Sequence, residues 1–477
     1  MTHSLVLDCN WVESDPILQV HMKKEIVDSK RNYSENWRGE RIIMSESKLG
    51  VMDKFQNFME EKILPFATKL GNQRHMAAIR DGMSILIPLT IIGGIAMVLA
   101  IPPVPSGIEN TNFFYGFLLA WQSWAATYNT TLMIPYYLTI GIISIYVVAG
   151  VSYRLAKSYE MDGINNMIAA LLVFLCIAGF PDGATIQAGQ LGASAMFTGL
   201  LIAMIVVEIN RIFIKKNICI KMPAAVPPNV AAPFNVLLPL AFNVILFLGL
   251  NMISTELAGG GLTTLIYKAF QPFISASGSL PSILLINFLM TTFWFFGIHG
   301  ANMVSVVTSP ITTLGLALNA EAYANNLPLP QIFSGAVNSV FGNWITYTAM
   351  LIVMLGVCKS AQMKSVSRVA LIPTLFNINE PMIFGIPTVL NVFTYMPLLI
   401  CSMLNFSVAY LLMDADIIGR FFVTLPFTVP GPLQAFLATM DWKTVIVWFA
   451  LLAIDCIIVL PFLKTYDKQL LAKEAEE

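Results

Sequence analysis

Runs of about 20 predominantly apolar residues recur along most of this chain, each long enough to cross roughly 30 Å of hydrocarbon as a helix. Clear runs fall near 82–101, 132–151, 164–180, 191–209, 234–254, 280–298, 342–358, 388–412 and 441–463. Inside a bilayer every backbone N–H and C=O must be satisfied within the protein, so such a pattern prescribes a bundle of helices. Only 12% of the 477 residues are charged, about half the share of an average soluble chain, too few to coat a water-soluble body. The 30 glycines and 26 prolines fit membrane helices, whose broken backbone can be re-satisfied by neighbouring protein. The fold class is therefore an all-α polytopic membrane protein with about ten transmembrane helices.

A net charge of −1 gives no reason to expect a nucleic-acid partner. Cys9, Cys176, Cys219, Cys358, Cys401 and Cys456 are scattered without metal-ligand spacing and read as small buried apolar groups. Residues 1–51 are charge-dense, lack sustained periodicity and carry no secretory signal. They read as a disordered tail or, preferably, as an over-extended start, with Met44 or Met52 the true beginning. Residues 52–80 read as an amphipathic helix on the cytoplasmic interface.

Basic residues orient the bundle. Loop 102–131 and loop 181–190 hold no Lys or Arg, whereas the alternate loops carry Arg154 and Lys157, then Arg211, Lys215, Lys216 and Lys221. The positive-inside rule makes the basic loops and both termini cytoplasmic. Trp121, Trp124, Tyr128, Tyr136 and Tyr137 suit an outer aromatic belt.

One long stretch, 269–358, contains no Lys or Arg. Its centre, 299–343, is rich in Gly, Ser, Thr, Asn and Pro, and reads as a re-entrant hairpin. Residues 369–387 read as a second hairpin, and 425–432 are too proline-rich for a regular helix. Broken segments gathered in one half of a transporter point to its binding site. The chain is therefore divided into a scaffold and oligomer-interface domain, 52–221, and a substrate domain, 222–477.

Four residue types at membrane depth carry the functional reading. His299 follows Trp294 within Phe293-Trp294-Phe295-Phe296-Gly297-Ile298-His299-Gly300, where the glycines permit close backbone approach. It is either a satisfied histidine capping a helix end or a group facing a pathway, and the second is preferred. Glu380 lies in Phe376-Asn377-Ile378-Asn379-Glu380-Pro381-Met382-Ile383-Phe384-Gly385. A carboxylate there costs about 2.5–3.5 kcal/mol on insertion scales unless hydrated or paired. No Lys or Arg in the adjoining hairpin offers a structural ion pair, so a proton-accepting or proton-carrying role is preferred. Asn377 and Asn379 add amides able to grip hydroxyls, and Trp294 is as readily interfacial packing as a stacking platform for a sugar ring. Asp455 reads equally as polar glue between helices, and Glu208 as an i,i+3 partner of Arg211. No Walker A, zinc-site or nucleophile-elbow pattern occurs, so no metal or cofactor is expected, and any chemistry needs a partner's reactive group.

Together these motifs resemble the lactose/cellobiose/diacetylchitobiose family of phosphotransferase IIC permeases. The resemblance runs from about Met52 to Leu471 and includes Ile63-Leu64-Pro65-Phe66-Ala67 and Met222-Pro223-Ala224-Ala225-Val226-Pro227. It implies a bacterial cell-membrane homodimer with an elevator-like transport domain importing a disaccharide. The sugar's C6 hydroxyl would be phosphorylated by a phosphocysteine on a separate IIB protein, itself served by IIA. It further implies that Glu380 serves as base at that hydroxyl, while His299, Asn379 and Trp294 hold the sugar. Phe427 stands where many relatives have Trp, keeping the aromatic face without the indole N–H, and Pro233-Phe234 stands where Ser often precedes Phe. Both departures bear on which sugar is taken, and a β-linked disaccharide such as cellobiose is favoured. Cys9 lacks the phosphate loop of a IIB domain. The alternatives are a proton-coupled secondary sugar transporter relaying through Glu380 and His299 and, behind it, a non-transporting sugar receptor.

Overall fold

A computed structural model describes residues 61–62, 64–102, 104, 109–180, 185–218, 220, 228–386 and 388–476. The leader 1–51 with Cys9, the start of the expected amphipathic helix, Cys219 and the 222–227 motif with its domain boundary lie outside the described residues. The chain divides into two units, Met1–Pro65 and Phe66–Glu477. The expected helix over 52–80 is interrupted in its described part: α1 (Leu64–Gly71) ends before a turn, and α2 (Arg74–Met83) starts anew with Gln73 accepting from the Met76 N–H.

From α2 onward all regular elements among the described residues are helical. α2 and α3 (Leu86–Ala100) together make one apolar span, Arg74–Ala100. The segment 102–131, expected as a loop, holds a 20-residue helix, α4 (Phe113–Leu132), capped by Asn112. Its Trp121 indole and Asn129 amide donate to the last carbonyls of α3, Leu99 at 3.0 Å and Ala100 at 3.2 Å, which a helix end leaves without intrahelical partners. α5 (Ile143–Ser158), α6 (Gly163–Phe174) and α7 (Met196–Lys215) pack on one another, and α5 packs on α2. A buried asparagine ladder, Asn243 to Asn210 to Asn166, ties α7 and α6 to α8 (Pro228–Ala258). In an apolar surround such amide bonds act as interhelical glue.

Gly82 of α2 and Gly150 of α5 meet backbone to backbone: a Cβ on Gly82 would lie 2.7 Å from the Val151 backbone. Small residues at such a crossing let two helices approach at main-chain distance.

α9 (Leu262–Ser277) and α10 (Leu280–Phe295) meet at a bend of 70°. The stretch 299–343, expected as a broken hairpin, instead contains a continuous 25-residue helix, α11 (Gly300–Ala324), long and apolar enough to span. Its Gly, Ser, Thr and Asn content marks polar packing rather than broken backbone, and Pro310 is accommodated inside the helix. α12 (Gly335–Phe341) and α13 (Asn343–Val357) follow. α14 (Ala361–Leu375) and α15 (Glu380–Gly385) pack together across a four-residue turn, so 369–387 does double back. α16 (Val392–Asp414), α17 (Gly431–Thr439) and α18 (Trp442–Glu476) complete the chain; of the proline-rich 425–432, residues 425–430 are free of helix as expected, while Gly431 and Pro432 open α17, where a first-turn proline is accommodated. Among the described residues eight helices are long and apolar enough to cross a bilayer, nine if the α9–α10 pair counts as one.

One core joins α2, α3 and α5–α7 with Leu314, Ala317 and Ala320 of α11. Two others lie in the C-terminal half, one around α12, α16 and α17, one around α13, α14 and α18. α11 packs against α2, and this contact positions the site.

Candidate functional site

The site begins where α10 ends. The chain turns through Gly297, whose φ of +76° favours glycine, and re-enters helix at Gly300. A Cβ on Gly300 would collide with the Met290 carbonyl, so the turn closes at backbone distance. His299 caps α11: its Nδ1 accepts from the Asn302 N–H at 3.3 Å. With Nδ1 accepting, the neutral imidazole carries its proton on Nε2 and offers it as a donor. The Trp294 ring lies 4.6 Å from the imidazole, centroid to centroid. His299 thus does cap a helix, as one expectation had it, but it is exposed rather than buried in the core.

His299 opens onto a cavity of about 570 Å³ between α2 and α11. Arg80 and Asp81 line one wall; Asn302, Ser305, Ser309 and Thr313 line the other. The four polar residues of α11 are spaced by three, four and four, one helical face over three turns. That spacing was legible, but reading 299–343 as broken backbone hid it. Arg80 and Asp81 were missed because they sit at the seam between the amphipathic segment and the first apolar run.

The second motif forms the turn between α14 and α15. Asn377 adopts φ +60°, and its amide donates to the Phe427 and Val429 carbonyls at 2.9 and 2.8 Å. Gln434 donates to the Pro426 carbonyl at 2.9 Å, so the irregular 425–430 segment is held from two sides. Phe427 is 57% exposed and stacks on Trp344, with ring centroids 6.4 Å apart. Asn379 is 2% exposed, yet neither amide atom has a hydrogen-bond partner among the described residues. Glu380 opens α15, is exposed, and has no ion-pair partner among the described residues. The structural ion pair considered from the sequence is absent there.

The chain just beyond the second motif reaches the first. The Leu390 N–H donates to the Phe295 carbonyl at 2.8 Å, and Val389 packs 3.3 Å from where a Gly297 Cβ would lie. Trp294 with His299, and Asn377 with Phe427, are each brought together directly. Glu380 and Asn379 are not among the residues lining the His299 cavity.

Asp455 is fully buried and accepts from Thr346 Oγ1 at 2.8 Å and Asn405 Nδ2 at 3.1 Å, joining α18 to α13 and α16. This is the helix-glue geometry. Glu208 pairs with Arg211 at 3.0 Å as its spacing predicts, and also with His75 Nε2 at 3.0 Å and the Tyr159 hydroxyl. Burial first, then the bond to Glu208 and its charge, raise the Tyr159 phenol above its usual range. Among the described residues no group of three or more His, Cys, Asp or Glu is placed to hold a metal ion.

Apolar spanning helices with an open cavity between two of them, lined by His299, Arg80, Asp81, Asn302 and hydroxyl side chains, suit a membrane transporter for a small polar solute. The family model described as "Phosphotransferase system, EIIC" matches residues 80–402. The chain belongs to that family and is a polytopic bacterial membrane protein, the sugar-permease component of a phosphotransferase system. It is 34% identical over 431 residues to the oligo-beta-mannoside-specific EIIC component of Bacillus subtilis, covering 87% of this chain and 95% of the relative. It is 30% identical to the lactose-specific EIICB component of Streptococcus mutans, covering 87% of this chain and 73% of that one. The crystal structure of ChbC, the IIC component of the N,N'-diacetylchitobiose-specific system, superposes with a TM-score of 0.80 at 29% identity. It covers 88% of this chain and all of that one. A component of this kind works with a sugar substrate and a IIB component.

Proposed function

We propose that this permease imports a β-linked disaccharide of the cellobiose type and presents its C6 hydroxyl for phosphorylation by a separate phosphorylated IIB protein. The observation that carries the reading is a donor histidine lining a cavity of disaccharide scale, with an aromatic ring 4.6 Å from its imidazole. Aromatic faces pack on pyranose C–H groups, and the imidazole Nε2–H suits a hydroxyl oxygen. Support also comes from the names of the relatives, whose stated sugars are a β-mannoside oligomer, lactose and diacetylchitobiose.

In this reading Trp294 and His299 hold one ring. Asn379, whose two amide atoms have no partner among the described residues, takes the complementary hydroxyls, and Asn377 sets the turn that presents it. Glu380 accepts the C6 proton as the phosphoryl group arrives; the phosphoryl donor is already activated, so positioning and deprotonation suffice. Phe427, stacked on Trp344, offers the second aromatic face. The domain after residue 222 carries the sugar across as an elevator against the 52–221 scaffold of a homodimer, with both termini cytoplasmic, and IIA recharges IIB.

The test uses inverted membrane vesicles with phosphorylated IIB and labelled cellobiose, competed by lactose and diacetylchitobiose. Formation of cellobiose phosphate supports the proposal. Accumulation of free sugar with a pH change outside the vesicles, independent of IIB, would overturn it.

A further inference from the structure

The His299 cavity contains a group that sugar binding alone does not call for. Arg80 is the one lysine or arginine lining it among the described residues. Its Nε donates to Asp81 Oδ1 at 2.7 Å, while the two Nη nitrogens make no hydrogen bond among the described residues. Arg80 is only 27% exposed, against 46% for Asp81, so the carboxylate is the more solvated and screened partner. The pair orients the guanidinium and leaves its two-pronged end unoccupied. The Gly82–Gly150 backbone contact two residues on fixes α2 against α5, and so fixes the backbone from which Arg80 projects. A planar guanidinium with two unoccupied terminal nitrogens suits the oxygens of a phosphoryl group.

We propose that Arg80 is the phosphoryl-binding residue of this permease: its guanidinium takes the phosphoryl oxygens during transfer and then the phosphate of the sugar product. The inference rests on the disaccharide-phosphorylating function proposed above. In the step, the sugar C6 oxygen forms the O–P bond as the S–P bond to the IIB cysteine breaks. The hydroxyl proton passes to Glu380, which lies outside the lining of the Arg80 cavity and which the elevator movement proposed above brings to it, and sulfur leaves as thiolate and is protonated from water. Arg80 exchanges no atoms; it neutralises charge on the equatorial oxygens, which the neutral His299 Nε2–H assists from across the cavity. An arginine serving only to anchor the span's end in lipid headgroups would be indifferent to the phosphate.

The experiment compares full-length wild type, Arg80→Gln and Arg80→Lys in proteoliposomes, using whichever disaccharide the wild type phosphorylates. Three quantities are read: sugar affinity without IIB, affinity for the disaccharide 6-phosphate, and transfer rate from phosphorylated IIB at saturating sugar. Arg80→Gln should bind sugar within about twofold of wild type, showing a folded site. It should bind the sugar phosphate about tenfold more weakly or worse and transfer about 100-fold more slowly. Arg80→Lys should recover part of both losses. Unchanged transfer and sugar-phosphate affinity in Arg80→Gln would overturn the assignment. Equal loss of sugar binding in both variants would also overturn it, making Arg80 a sugar-holding or structural residue. A wild type that yields no sugar phosphate from any disaccharide would instead refute the underlying function, a result independent of the variants.

Discussion

At the scale of single residues, the polar groups at membrane depth were legible because lipid makes them expensive. His299, Asn377, Asn379 and Glu380 stood out from apolar surroundings, and each has a defined place in the structure. Their partners were not legible: no pattern in sequence says that Asn377 donates to Phe427 and Val429, or that Arg80 shares a cavity with His299. Glu380→Gln should reduce sugar phosphorylation by about 10²–10⁴-fold while leaving sugar binding measurable, checked by transfer assay and equilibrium binding. Full turnover would remove the carboxylate from the reaction. His299→Asn keeps a good helix cap but loses the Nε2 donor, so it should preserve helical content and weaken sugar binding about tenfold. Unchanged affinity would leave the histidine a cap alone. Asn379 makes a sharper case. A buried amide without partners costs about 1–3 kcal/mol, so Asn379→Leu should not lower the melting temperature of sugar-free protein, yet should abolish the stabilisation that sugar gives. A clear fall in the sugar-free melting temperature would show that the amide is satisfied in the native fold. Among the cysteines, burial and the charge of Asp467 push the Cys358 thiol up to about 11, in keeping with an inert packing group.

Elements were legible wherever apolar length decided them. α3, α7, α13, α16 and α18 all fall close to apolar runs marked in the sequence. Where helices carry polar faces, length and composition pulled apart. α4 was hidden by its Asn, Gln, Ser and Thr content, and α11 by residues whose small polar side chains line a cavity rather than break a helix. Turn residues were read more faithfully: Gly297 with its positive φ, and the Pro-rich 425–430 segment, which needs Asn377 and Gln434 to hold it. Asn377→Ala should therefore cost about 1–3 kcal/mol by stranding the Val429 carbonyl and leaving the Phe427 carbonyl to Gln434 alone, read as a lower melting temperature in detergent. Asp455→Asn should be tolerated, since Thr346 and Asn405 can still bond a neutral amide. Loss of transport in a well-folded Asp455→Asn protein would assign the carboxylate a task beyond joining helices.

For the whole molecule, membrane class and family were within reach of the sequence, because lipid leaves few architectures open. How α2 pairs with α5 and α11 across the chain was not, since hydropathy does not say that Gly82 meets Gly150 or which helix lies on the other side. The orientation from basic loops makes a direct prediction. A cysteine introduced at Ser123 should react with a membrane-impermeant maleimide in intact cells, and one at Lys216 only after permeabilisation; the reverse pattern would invert the topology. The Gly82–Gly150 crossing has an evolutionary corollary. A wall seated main chain on main chain has no slack for re-tailoring, so one side of the vestibule is a fixed jig. Divergence in sugar preference between related permeases should then accumulate on the opposite face, at Asn302, Ser305, Ser309 and Thr313, where side chains can be exchanged without moving a helix.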